Sequence, residues 1–168
     1  MSKKILVAYA TRAGSTAEIA SVIGETLAAH GAAVDVLPLN NVTSLADYQA
    51  VVIGSAIRFG GWLPEAVKFV EQNREALSQR PLAIFAAHIL NMDDDETSRQ
   101  NRQLYLEPVR KLVTPRVEAW FAGVGDPKKV SFVERQLYKM VKAPQGDYRN
   151  WPAVRAWAES LLAILEPG

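Results

Sequence analysis

Six consecutive residues near the start of the chain, Thr11 to Thr16 (TRAGST), combine three hydroxyl side chains with an arginine and a glycine. They follow an apolar run of strand length and precede a segment with helical spacing. At a strand-to-helix turn, backbone amides and the helix dipole both favour an anion. The hydroxyls add donors, and Gly14 allows a close backbone approach or a positive φ. The pattern predicts a phosphate-binding loop; the alternative is that Ser15 or Thr16 only caps the helix.

Other phosphate loops do not match these residues. A P-loop needs a lysine followed by serine or threonine after its second glycine, and a dinucleotide loop needs three spaced glycines, whereas Gly14 stands alone here. Hydroxyl groups in place of glycines indicate a phosphomonoester enclosed by the loop, as on a mononucleotide.

Besides this first loop, two further loops follow apolar runs of strand length, the second at Ser55 to Trp62 and the third at His88 to Glu96. The third loop carries further titratable groups. His88 could relay a proton near neutral pH, or it could be a hydrogen-bonded structural residue. The acidic run Asp93 to Glu96 contains no glycine for the sharp turn that would bring four carboxylates onto one metal ion. We therefore expect it to be solvated and to place negative charge at a helix amino terminus.

Short apolar runs alternate with helical segments, which predicts an α/β fold with an open, doubly wound sheet of five parallel strands and helices on both faces. Ligands bind such sheets beyond the carboxyl ends of the strands. The predicted strands are Lys4–Ala10, a short one around Val34 and Val36, Ala50–Ser55, Pro81–Ala87 and Val117–Ala122.

The helices carry start and stop signals. Gly31 suits a left-handed carboxyl cap, and Pro108 should kink or divide the helical segment Thr97–Val113. Asn150 can cap a last helix that has Pro152 in its first turn. Before this helix lies an insertion, Gly125–Arg149, with its own apolar positions at Phe132, Val133, Leu137, Met140 and Val141.

Composition narrows the function classes. The 168 residues fit one domain, 1–168, and the net charge of +1 without a dense basic run argues against nucleic acid as a partner. The absence of cysteine removes disulfides, thiolate nucleophiles and iron–sulfur clusters, so redox chemistry would need an organic cofactor. No apolar run reaches transmembrane length, and we expect a cytoplasmic protein.

Four stretches in order along the chain are similar to those of a known family. They are TRAGST, VVIGSAIRFG at Val51–Gly60, VERQLYKMVK at Val133–Lys142 and GDYRNWPAVRAWA at Gly146–Ala158. The chain resembles the flavodoxin family, and more narrowly its menaquinone-dependent protoporphyrinogen oxidases. The resemblance implies FMN as cofactor, with its phosphate in the first loop and its ring between the second and third loops. The residues implied to bind FMN are Thr11, Arg12, Ala13, Gly14, Ser15, Thr16, Ser55, Ala56, Ile57, Arg58, Phe59, Gly60, Gly61, Trp62, His88, Ile89 and Leu90.

Within that resemblance, the second loop would offer backbone groups to the flavin ring. The Gly60-Gly61 peptide could flip to donate to the flavin N5, or the glycines could only make a turn. Arg58 could lie near the flavin or reach an acidic substrate group, or it could form a surface salt bridge. Trp62 or Phe59 could stack on the ring, and Trp62 could equally pack in the core.

Two positions depart from the flavodoxin pattern. Ala13 stands where a threonine is often found, which removes one hydroxyl donor and would weaken phosphate binding by about 1 kcal/mol. The stretch Ala87 to Met92, where the third loop begins, has no aromatic residue to cover the outer flavin face. One face of the ring would then be open to a reactant.

Two functions remain open. The first is an FMN oxidoreductase that passes electrons from a reduced substrate to a quinone-type or other acceptor, with the insertion helix either contacting a membrane or quinone or packing on its own domain. The second is a flavodoxin-type electron carrier that serves larger redox proteins and turns over no substrate itself.

Overall fold

The computed structural model describes residues 4–12, 14–125, 132–140 and 144–166, with only the backbone described at 134, 137 and 138. The strands are β1 (Lys4–Ala10), β2 (Val34–Pro38), β3 (Tyr48–Arg58), β4 (Gly61–Trp62), β5 (Leu82–His88), β6 (Val117–Ala122), β7 (Val124–Gly125) and β8 (Gly146–Asp147). The helices are α1 (Ser15–Ala29), α2 (Pro64–Gln72), α3 (Arg74–Ser78), α4 (Glu96–Leu104), α5 (Glu107–Arg110), α6 (Phe132–Met140) and α7 (Trp151–Ile164), with a 3-10 turn at Leu39–Asn41.

The main sheet has the strand order β2-β1-β3-β5-β6, and all of these neighbours pair in parallel. The predicted doubly wound sheet of five parallel strands is therefore confirmed. Its core divides between two faces. One face buries side chains of α1 and α7, such as Ile23 and Leu161, and the other buries side chains of α2 and α5, such as Val70 and Val109.

The third strand is longer than predicted. It continues from Ser55 through Arg58 and returns through β4, which pairs antiparallel with Ile57 and Arg58. The two residues between these strands, Phe59 and Gly60, both have positive φ values, 53° and 80°. Positive φ values at both turn residues match the twist of a tight β-hairpin. The segment predicted as the second loop is therefore an extension of β3 that a two-residue turn connects to β4.

The predicted helix signals hold. Gly31 follows α1 with a φ of 95°, and the Asn150 side chain accepts a hydrogen bond from the amide of Ala153 at 3.1 Å at the start of α7. The predicted Thr97–Val113 helix is divided into α4 and α5, with Pro108 in the first turn of α5. Proline fits there because first-turn amides have no partner inside the helix.

The described residues of the insertion contain α6 and β8, and β8 pairs antiparallel with β7. The side chains of Phe132, Val133 and Met140 are 70%, 65% and 78% exposed. For these residues, the interpretation that α6 packs its apolar face on its own domain is wrong. The Leu137 side chain and Val141 lie outside the described residues. Among the helices of the described chain, none is both long enough and apolar enough to cross a membrane.

Candidate functional site

Three strands end together and set the position of the candidate site. The pairing places Ala10 of β1 beside Ser55 of β3, and Ser55 beside Ala86 of β5. The loops that follow these residues therefore leave the same edge of the sheet. This is the carboxyl edge at which parallel α/β sheets bind ligands.

The first of these loops turns directly into α1. Gly14 has a φ of 95° and precedes the first residue of the helix, and its amide donates a hydrogen bond to Thr11 Oγ1 at 2.9 Å. Glycine adopts this left-handed backbone without strain. Since Gly14 has no side chain, no side-chain oxygen caps the first turn of α1; its backbone carbonyl accepts a hydrogen bond from the Glu18 amide at 3.3 Å. Ala13 lies outside the described residues.

Ser15 and Thr16 both lie inside α1, so the alternative that one of them only caps the helix is wrong. The Thr16 hydroxyl is fully buried and has no hydrogen-bond partner among the described residues. An unpaired buried polar group costs about 1–3 kcal/mol, and an acceptor oxygen on a bound ligand would recover this free energy. Together with the first-turn amides of α1, this hydroxyl fits the phosphate of FMN.

Arg12 forms an ion pair with a residue of the neighbouring helix α2. Its guanidinium pairs with Glu65 in the first turn of α2, with Nη2 donating to Oε2 at 3.0 Å and Nη1 donating to Oε1. The hydrogen bond from Arg12 holds the pKa of Glu65 below its usual value. The pair joins the first loop to α2, and an FMN contact by Arg12 stays a prediction.

In the second loop, Trp62 is a core residue. Only 4% of it is exposed, and its indole Nε1 donates to the carbonyl of Phe85 at 3.1 Å. The prediction that Trp62 stacks on a flavin is therefore wrong, because β4 returns this side chain into the sheet. Phe59, at the hairpin tip, is 79% exposed and is the aromatic residue of this loop that remains available for stacking.

The remaining residues of the second loop form hydrogen bonds in and beside the β3–β4 hairpin. The buried Ser55 hydroxyl donates to the carbonyl of Ala56 at 2.8 Å and accepts from the amide of Leu63 at 3.0 Å. Arg58 Nη1 donates to the carbonyl of Ile57 at 2.9 Å. Ala56 is buried, Ile57 is half-buried, and Gly60 and Gly61 are at or beside the turn. Their contacts with FMN stay predictions.

In the third loop, His88 is 6% exposed, and its Nδ1 donates to the carbonyl of Leu90 at 2.7 Å. Burial lowers the pKa of His88, which favours the neutral imidazole. These contacts agree with the alternative that His88 is a hydrogen-bonded structural residue. A catalytic role for His88, as a proton relay, stays a prediction. Ile89 is buried, whereas Leu90 is 38% exposed.

Sequence reasoning missed the residues that hold the third loop in place. Asn91 has a φ of 58°, and its Nδ2 donates to the Tyr105 hydroxyl at 2.7 Å. Arg102 Nη1 donates to the carbonyls of Asn91 at 2.5 Å and Asp93 at 2.9 Å. The residues of these pairs are nine or more positions apart along the chain, so local sequence carries no signal for the contacts.

The acidic run has the role expected of it. Asp95 Oδ1 accepts a hydrogen bond from the Ser98 amide at 2.7 Å and caps α4, and Asp94 pairs with Arg99. In the part of the chain that the structure describes, no cluster of three or more histidine or carboxylate residues could hold a metal ion.

The comparisons with known proteins agree with this arrangement. A family model described as a flavodoxin domain matches residues 6–150. Protoporphyrinogen IX dehydrogenase [quinone] of Leishmania major is 27% identical over 176 residues, which cover 97% of this chain and 76% of that protein. The Escherichia coli K12 protein of the same name is 28% identical over 179 residues, which cover 97% of both chains.

Solved structures share the fold. Oxidised flavodoxin 1 from Bacillus cereus aligns with a TM-score of 0.61 at 11% identity, covering 97% of this chain and 99% of that one. A flavodoxin from the domain Archaea aligns with a TM-score of 0.53 at 17% identity, covering 93% and 99%. The family match implies FMN as the cofactor, in agreement with the buried Thr16 hydroxyl. The chain belongs to the flavodoxin family.

Proposed function

We propose that this protein is a cytoplasmic FMN-dependent oxidoreductase that takes electrons from a reduced small-molecule substrate and passes them to a quinone-type acceptor. The names of its relatives support this proposal, since the two relatives that are 27% and 28% identical over 97% of the chain are both named protoporphyrinogen IX dehydrogenase [quinone]. A porphyrinogen is accordingly the first substrate to test.

One observation carries the choice of an enzyme over a carrier. The third loop presents the exposed Leu90 at the candidate flavin site, where the sequence has no aromatic side chain to cover the ring. The Leu90 side chain is 38% exposed, and an aliphatic side chain does not stack on a flat ring as an aromatic one does. A ring covered on one face only has space for a substrate on the other.

The chain's own residues would bind and orient the cofactor. The first-turn amides of α1 and the Thr16 hydroxyl would hold the phosphate, and Phe59 would contact the ring from the hairpin tip. FMN supplies the electron-transfer chemistry at its ring when it is bound. His88, which donates to the carbonyl of Leu90, would hold the backbone of the third loop in position beside the ring.

The exposed face of α6 supports a peripheral contact with a lipid surface, where membrane quinones reside. Phe132, Val133 and Met140 present apolar side chains, and the exposed Lys139 lies on the same helix. Apolar and basic groups on one helix suit an anionic lipid surface. Three further lysines lie close in sequence, at Lys128, Lys129 and Lys142.

Turnover by the purified protein alone tests the function. We expect protein loaded with FMN, under anaerobic conditions, to oxidise protoporphyrinogen when a soluble quinone is the only acceptor, followed by porphyrin absorbance. No porphyrin formation, together with a flavin that is reduced only when a separate reductase and its own electron donor are added, would instead make the protein an electron carrier.

A vesicle assay tests the lipid contact. We expect sedimentation with phosphatidylcholine vesicles that contain phosphatidylglycerol, and loss of binding in the double variant Val133→Asp, Met140→Asp. The matched control is Leu104→Asp, because Leu104 lies on α4 and its side chain is 60% exposed. Equal binding by both variants would show that α6 makes no such contact.

A further inference from the structure

Arg149 is enclosed at the carboxyl end of the insertion, with only 13% of its side chain exposed. Its Nε and Nη2 donate to the two carboxylate oxygens of Asp147 at 2.9 Å and 2.7 Å. Its Nη1 donates to Glu18 Oε2. The guanidinium also lies over the ring of Trp151, with Cζ 4.7 Å from the ring centroid. A cation held on several sides at once has a fixed position.

Glu18 connects this cation to the phosphate loop. It lies in the first turn of α1, two positions after Thr16, and its side chain is 62% exposed. A carboxylate there interacts well with the helix dipole, but it repels an anion bound at the same helix terminus. By pairing with Glu18, Arg149 offsets that repulsion and holds the carboxylate toward the start of α7.

The backbone brings the two regions together independently of this ion pair. The amide of Gly123 donates a hydrogen bond to the carbonyl of His88 at 2.7 Å. The carbonyl of Gly123 accepts a hydrogen bond from the amide of Tyr148 at 3.1 Å. A Cβ atom placed on Gly123 would lie 3.8 Å from Ser15 Oγ. The residue before Arg149 is therefore fixed beside the first and third loops of the site.

We propose that Arg149 is a positioning residue for the phosphate loop, which keeps the Glu18 carboxylate away from the bound phosphate and so selects a phosphorylated flavin. This makes the end of the insertion a part of the cofactor site. The inference rests on the phosphate loop assigned above and is independent of the substrate and of the acceptor.

A double-mutant cycle tests the proposal through the dissociation constants of FMN and riboflavin, measured by flavin fluorescence on the apoprotein. We expect Arg149→Gln to weaken FMN binding by about fivefold at low salt, and less at high salt, because the freed carboxylate repels the phosphate. Riboflavin carries no phosphate, so its binding should not change. Adding Glu18→Gln to this variant should restore FMN binding, and Arg149→Lys should keep most of it.

Two results would overturn the proposal. One is an equal loss of FMN and riboflavin binding in Arg149→Gln, which would indicate a structural role only. The other is FMN binding that this variant leaves unchanged. If Arg149→Gln does not fold, Glu18→Gln alone decides, since removing the carboxylate should tighten FMN binding and a weakening would contradict the proposal. If the assignment of the phosphate loop is wrong, the result is different, because the unmodified protein would then bind FMN and riboflavin with equal affinity.

Discussion

The indole nitrogen of Trp62 donates a hydrogen bond to the carbonyl oxygen of Phe85 at 3.1 Å, and this bond ties the hairpin of the second loop to the neighbouring strand β5. The aromatic residue in the core thus supports the loop, while the aromatic residue at its tip, Phe59, points to solvent. The two residues should respond differently to substitution.

Trp62→Ala should lower the free energy of unfolding by about 3–5 kcal/mol, because it leaves a cavity in the core. Trp62→Phe keeps a ring but removes the hydrogen bond to the Phe85 carbonyl and part of the buried apolar surface, and it should cost about 1–3 kcal/mol. Urea unfolding of the apoprotein measures both. Phe59→Ala is the control and should lie within about 0.5 kcal/mol of the unmodified protein; a similar loss in that variant would contradict the assignment.

Phe59→Ala should weaken the binding of FMN and riboflavin to a similar extent, since the two flavins share the ring that Phe59 would contact. It should also change the fluorescence of the bound flavin. Titration of the apoprotein with each flavin gives both readouts. Unchanged affinity and fluorescence for both flavins would remove Phe59 from the site.

Thr16→Val should stabilise the apoprotein by about 1 kcal/mol, because it replaces an unpaired buried hydroxyl with a methyl group. The same change should weaken FMN binding by about tenfold through the loss of a hydrogen bond to a charged group. Thr26→Val is a matched control in α1, since the Thr26 hydroxyl already donates to the carbonyl of Val22 at 2.7 Å. Apoprotein stability that falls in Thr16→Val would show that this hydroxyl has a partner in the protein.

His88 should make the protein less stable in mild acid. Burial lowers its pKa in the folded state, so the unfolded chain binds a proton first as the pH falls below about 6.5. The contribution of neutral His88 is fully present above that pH and is lost as the pH falls toward the lowered value. Melting temperatures of the unmodified protein and His88→Asn between pH 7.5 and pH 5 should converge as the pH falls. Parallel curves would contradict this account.

The sequence predicted the strands and the helix ends better than it predicted the loops and the tertiary contacts. Strand positions, the division at Pro108 and the cap at Asn150 depend on local patterns, and they hold. The extension of β3 through Arg58 was missed because it depends on a positive φ at Phe59, which no local preference of phenylalanine indicates.

Long-range contacts explain the other differences. The sequence left open whether Trp62 packs in the core, and its hydrogen bond to Phe85 on a neighbouring strand decides this. Arg102 of α4 donates to the carbonyl of Asn91, which lies eleven residues earlier in the chain. The pattern of α6 predicted an apolar face, but whether a face is covered depends on what the tertiary fold packs against it.

The preference of the apoprotein for FMN over riboflavin is the most direct test of the central claim that the loop before α1 binds a phosphate. We expect FMN to bind about a hundredfold more tightly, because charge-assisted hydrogen bonds form only with the phosphate. Gly14→Asp should abolish that preference, since it adds a negative charge and a side chain at a φ of 95°. Equal affinities for the two flavins in the unmodified protein would contradict the account.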